Sequence, residues 1–330
     1  SRVQPTGRGR LNPKGVAFYD RLIDALLAVG IEPFVTLCHY DIPQVLEDQG
    51  GWLNRQMPDW FADYAEAMVR TYGDRVSHWM TINEPTCMSS AGYGGVAEPP
   101  GLGDPQAGVQ SAHHMLLAHG KGLRAIKAAG GEHHRIGLVV NLYPVHAYRG
   151  RSDQAKETRW LRMGLEPPPA AAGGEEPIRP GDFDAVVRLR DGYSNRWWLD
   201  PIYRGSYPQD IWDHRPCRPV VEAGDLAIIG VRPDFMGVNY YNRSVVKPVR
   251  RNGVLSWVGV TREELGAVVT TMGWEIYPPG LFELLTRIKA DYGDPEMYVT
   301  ENGMAWDDPV GPDGRVQDDY RIDFLRRHLD

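Results

Sequence analysis

The stretch HWMTINEP, residues 78–85, reads as a buried strand that finishes on a carboxylate. Five mostly apolar or β-favouring residues run into Asn83 and Glu84, and Pro85 stops the run. Four other segments share its character: IEPFVTL (31–37), RIGLVVNLYPV (135–145), DFMGVNYY (234–241) and EMYVTEN (296–302). Each is nearly continuously apolar rather than alternating. That is the mark of strands covered on both faces, as in parallel sheets.

Helical patterns lie between these strands. In NPKGVAFYDRLIDALLAVG (12–30), Asn12 is placed to cap, Pro13 takes the first helical position and Gly30 stops the run. Residues 57–73 and 278–293 repeat the plan, each ending on glycine. Strand alternating with helix predicts right-handed βαβ units and a parallel sheet. The 330 residues are expected to form a single domain. The Pro/Gly/Ala-rich stretch 164–182 is expected to be a long surface loop.

Composition excludes some functions. The net charge is −7 and the pI is near 5.8. Nucleic acid and anionic membrane both call for a basic face, so neither is an expected partner. The ten tryptophans and sixteen tyrosines suit sugar faces as well as a core. Three cysteines, Cys38, Cys87 and Cys217, match no zinc or redox spacing and point to a reducing, cytoplasmic setting. His113, His114 and His119 lie on one expected helix without acids placed for coordination, so packing or surface is the reading and no metal is expected.

Strand after strand ends in a polar group: His39, Asn83 with Glu84, Asn239 with Tyr241, and Glu301 with Asn302. In a (β/α)8 barrel such ends converge on the face where the chemistry occurs. Two facing carboxyl groups are what glycoside hydrolysis needs. The leaving oxygen of an acetal must be protonated, while the anomeric carbon becomes cationic and needs an anion beside it.

The blocks SRVQPTGRGRLNPKG, GIEPFVTLCHYDIPQVLEDQGGW, TINEP, DFMGVNYYNR, TTMGWEIYP and YVTENG, in this order, resemble family 1 of the glycoside hydrolases, the β-glucosidase type. The resemblance covers nearly the whole chain. It implies a (β/α)8 TIM barrel and a retaining β-glycosidase acting on small β-glycosides without a cofactor. Glu84 of NEP would be the general acid/base and Glu301 of TENG the nucleophile. Asn83 and His39 would hold sugar hydroxyls. Asn239, Tyr241 and Arg2 would lie near the nucleophile, with the Arg2 cation holding Glu301 ionised.

The chain departs from the family pattern at Tyr40, where tryptophan is usual, and at Glu98, near a usual histidine. The resemblance also implies an incomplete barrel, with strands three to seven visible, the end of the second at the N-terminus, and the first and eighth missing. A chain of that kind is expected to be poorly soluble and nearly inactive. The rival reading is a catalytically silent sugar-binding or interaction protein on the same barrel.

Overall fold

The computed structural model describes residues 1–149 and 176–330. All five expected strands form, and together they make one parallel sheet. They are β1 (Phe34–Cys38), β2 (His78–Asn83), β3 (Arg135–Asn141), β5 (Phe235–Asn239) and β8 (Met297–Glu301), hydrogen-bonded in that order. A smaller sheet holds β4 (Val145–Ala147), β6 (Ser244–Arg251) and β7 (Val254–Gly259). The class is α/β.

The five-stranded sheet is strongly curled. β1 and β8 are its two outer strands, four ladder steps apart, or about 19 Å if the sheet were flat. Yet the rings of Phe34 on β1 and Tyr298 on β8 lie 5.0 Å apart, centroid to centroid. Phe235 on β5 meets both, at 6.0 and 5.2 Å. The concave face is therefore a packed layer of side chains from several strands, as in barrel interiors. Gly137 makes room for it, since a Cβ there would fall 2.4 Å from the Phe235 ring.

The convex face is covered by helices. Helix Pro13–Ala28 begins as its sequence predicts, with the Asn12 side chain accepting from the Lys14 N–H and Pro13 in the first turn. Helix Met57–Tyr72 packs through Phe61 and Ala65 against helix Pro105–Gly130, which is buried along most of its length. Helix Pro279–Tyr292 precedes β8. No helix among the described residues is long and apolar enough to cross a membrane.

Three boundaries differ from the sequence reading. The segment 135–145 is not one strand: β3 ends at Asn141, and β4 starts a second sheet after Pro144. At the break the Asn195 carboxamide binds both the N–H and the C=O of Tyr143, replacing the ladder bonds. The hairpin β6–β7 was not expected at all. Its turn is Asn252-Gly253, both with positive φ (51° and 77°), the conformation that matches strand twist. Of the expected loop, residues 164–175 lie outside the described residues; 176–181 are irregular, and helix Asp182–Asp191 starts at its last position.

Helix Pro105–Gly130 sits too close to its neighbour for any side chain at Gly120. A Cβ there would lie 2.2 Å from the backbone oxygen of Ile228. Gly120→Ala is expected to lower unfolding stability by about 1–3 kcal/mol, read as a lower urea midpoint at unchanged slope.

Candidate active site

β2 ends at Asn83, and Glu84 then takes a left-handed backbone conformation, φ +43°. Such a conformation is uncommon for a residue with a side chain and persists only where the surroundings hold it. Here the Glu84 N–H donates to the Val139 carbonyl on β3 at 2.9 Å. The Glu84 carbonyl accepts from the Cys87 N–H at 3.0 Å, at the start of a wide π-helical turn, Cys87–Tyr93. The turn brings the Cys87 thiol back over the Glu84 side chain, which is buried.

Three donors reach that carboxyl. The Asn239 Nδ2 donates to Oε1 at 2.8 Å, the Tyr40 hydroxyl to Oε2, and the Cys87 thiol to Oε2 at 3.3 Å. Burial first, and then the neighbouring Glu84 charge, push the Cys87 thiol up to about 12, so it stays protonated. Asn239, almost fully buried at the end of β5, also donates to Asn83 Oδ1 at 3.2 Å and accepts from the Thr300 hydroxyl at 2.6 Å. The Asn83 carboxamide lies 3.4 Å from His39 Nε2.

Glu301 closes β8 and is half-buried. The Tyr241 hydroxyl donates to its Oε2 at 2.8 Å; its other oxygen has no hydrogen-bond partner among the described residues. Burial, then the bond to Glu301, then the charges of Glu301 and Glu84 raise the Tyr241 phenol well above its usual range. Both carboxylates thus act on one phenol, although β2 and β8 are three ladder steps apart.

Six of the seven candidate residues therefore meet at one end of the sheet: His39, Asn83, Glu84, Asn239, Tyr241 and Glu301. Arg2 does not join them. It is exposed, and among the described residues no ion pair links it to Glu301; its carbonyl accepts from Asn12 Nδ2 at 3.0 Å. No ion pair to Glu301 is formed among the described residues: Ser1 and Gln4 lie beside Leu37 and Cys38 at the end of β1, but the Arg2 side chain is exposed.

Tyr40, Cys87 and Asn141 were not foreseen as partners in this network. Asn141 ends β3, donates to the Tyr143 hydroxyl at 3.0 Å and lies 3.5 Å from the Cys87 sulfur. Its signal was available, as a polar residue at the end of an apolar strand. Tyr40 follows His39 directly, at φ +69°. The phenol that stands where tryptophan is usual donates its hydroxyl to Glu84.

A curled parallel sheet with two carboxylates converging at its strand ends has the layout of a glycosidase. Comparison with known proteins agrees. The model of glycosyl hydrolase family 1 matches residues 1–163 and 171–330. Beta-glucosidase A of Thermotoga maritima is 36% identical over 335 residues, covering 99% of this chain and 66% of that protein. The 6-phospho-beta-glucosidase GmuD of Bacillus subtilis is 32% identical over 343 residues, covering 100% of this chain and 67% of its own length. The solved structure of the Thermotoga maritima beta-glucosidase with deoxynojirimycin superposes with a TM-score of 0.83 at 34% identity, over 99% of this chain and 67% of that one. The chain belongs to family 1 of the glycosyl hydrolases, and it spans about two thirds of the length of these relatives.

The three histidines of helix Pro105–Gly130 are buried packing groups rather than surface ones, and an acid does reach the first of them. His113 binds Asp225 and the Tyr207 hydroxyl, both at 2.9 Å; His114 binds the Trp52 carbonyl at 2.8 Å; His119 binds Thr81 at 2.8 Å. Burial alone would push the Asp225 carboxyl up. The Arg55 fork, then His113 and the Glu222 N–H, overcome it and hold it at about 2. Asp225→Asn is expected to cost about 2 kcal/mol near neutral pH, the low side for a broken buried pair because Arg55 keeps part of its hydration. Since the folded pKa is depressed, this stabilisation is full above the unfolded value of about 3.9 and fades as pH falls towards 2. Urea titrations of parent and variant across that window should converge at its acid end.

Proposed function

We propose that the protein is a retaining β-glycosidase of the β-glucosidase kind, hydrolysing small β-glycosides by double displacement. The observation that carries this reading is the convergence of Glu84 and Glu301 at the ends of β2 and β8: Asn239 bonds both Glu84 and Thr300, the residue before Glu301, and the Tyr241 phenol bound to Glu301 feels the charges of both glutamates. The five-stranded sheet is on this reading an arc of a (β/α)8 barrel, and its curl supports that.

The surroundings of the two carboxyls support different roles. Glu84 is ringed by donors that can stabilise the carboxylate left when a proton departs. Glu301 is oriented by a single phenol, leaving one oxygen unengaged to attack a carbon. In the first step Glu84 gives its proton to the glycosidic oxygen while Glu301 attacks the anomeric carbon with inversion. In the second, Glu84 takes a proton from water as that water displaces Glu301, and the second inversion restores the β configuration. His39 and Asn83, bound to one another beside Glu84, are placed to grip sugar hydroxyls.

Glu84→Ala is expected to lower kcat/KM on an alkyl β-glucoside by about 10²–10⁴-fold, while 2,4-dinitrophenyl β-glucoside, which needs no acid, loses far less. Added azide should restore turnover and yield a β-glycosyl azide. Glu301→Ala should be inactive on both substrates, and azide should give the α product. An exchange of these outcomes between the two variants would reverse the assignment, and loss without azide product in either would refute it.

A further inference from the structure

We infer that Tyr40 is a positioning residue for Glu84: Asn239 fixes which carboxyl oxygen carries the proton, and Tyr40, with Cys87, holds that oxygen and stabilises the carboxylate left behind. This rests on the reading of Glu84 as proton donor and goes beyond it by distinguishing its two oxygens.

The argument starts at Asn239. Its Oδ1 accepts from the Thr300 hydroxyl, and its Nδ2 donates both to Asn83 Oδ1 and to Glu84 Oε1. Turning the amide over would set its oxygen against the Glu84 carboxylate and the Asn83 oxygen, so the N–H faces Oε1. An amide N–H can only donate. A proton on Oε1 would meet that N–H head on, so the acid form of Glu84 carries its proton on Oε2.

Oε2 is where Tyr40 and Cys87 converge. A phenol hydroxyl can accept as well as donate, so Tyr40 fits both states of the carboxyl by turning about its C–O bond. When the Oε2–H bond breaks, the proton goes to the glycosidic oxygen as that oxygen leaves the anomeric carbon. The electron pair left on Oε2 then receives hydrogen bonds from the Tyr40 O–H and the Cys87 S–H. In the second step a water proton returns to Oε2 and restores the acid. Hydrogen bonds to an ionised acceptor are the strong ones, so both residues act mainly on the step in which the carboxylate forms. The backbone supports the assignment: Tyr40 holds a left-handed φ of +69°, a costly state for a bulky residue, immediately after the strand that ends beside Glu84.

The test compares kcat/KM, which reports the first step, on octyl β-glucoside and on 2,4-dinitrophenyl β-glucoside. Tyr40→Phe is expected to lose about tenfold on the octyl glycoside, the worth of one hydrogen bond to a charged group. On the activated substrate, which leaves without protonation, the change should stay within about twofold. Cys87→Ala should show the same selectivity at smaller size, and Cys87→Ser, which keeps an O–H donor, should recover it. The Cys87 pair also reports independently should Tyr40→Phe fail to fold, as judged by its melting temperature. Equal losses on both substrates, or no loss on the octyl glycoside, would overturn the inference while leaving Glu84 as the acid. If Glu84→Ala itself shows no dependence on the leaving group, or the parent turns over neither substrate, the reading beneath the inference fails and the inference falls with it.

Discussion

One buried carboxamide ties the site together. Asn239 sits at the end of the central part of the sheet, with β3 on one side and β8 on the other. Its side chain reaches past β3 to Glu84 and Asn83, and back to Thr300. Every polar atom of the group is used, which is the condition for burying an amide without penalty. The same bonds set the relative position of two strands that never pair with one another. Removing the amide would leave Glu84 Oε1, Asn83 Oδ1 and the Thr300 hydroxyl short of a partner together, so the cost would exceed that of any one bond.

That span is possible only because the sheet curls. Flat, the ends of β2 and β8 would stand about 14 Å apart, beyond any side-chain bridge. The curl is enforced one layer below the site, where Phe34, Phe235 and Tyr298 fill the concave face. Aromatic packing in the interior thus sets the spacing of charges at the strand ends. Geometry at the site is a consequence of apolar burial rather than of the ionic groups themselves, whose mutual repulsion would otherwise drive the ends apart.

The five strands were legible because burial on both faces removes alternation and leaves continuous apolar runs, and the polar residues ending those runs marked the site. What the runs concealed were their breaks. Nothing in the apolar character of RIGLVVNLYPV shows that Asn195, more than fifty residues later, intercepts the backbone at Tyr143. The β6–β7 hairpin is a different case: Asn252-Gly253 between strand-like residues is a strong local signal, legible in the sequence itself. Arg2 was placed by likeness to a strand end, whereas its position follows from Asn12 binding its carbonyl, a local contact that the pattern did not encode. The Tyr40 hydroxyl lay beyond sequence reasoning, since its direction depends on a left-handed backbone that no tyrosine announces.

Along β2, His78 faces the aromatic layer, stacked on Phe34 at 4.1 Å, while Trp79 and Thr81 face outward. The Trp79 indole N–H donates to His134 at 3.3 Å, and Thr81 bonds His119 on helix Pro105–Gly130. Burial depresses His119 to about 4, so near neutral pH that anchor carries no charge and does not respond to the titration of the site. The strand is therefore pinned from behind by neutral, buried contacts and from within by rings. A rigid strand held on both faces leaves its last residue little freedom, and the strained turn at Glu84 can persist because nothing nearby can relax to relieve it. A buried strand ends on a carboxylate here because only a strand so held can aim one.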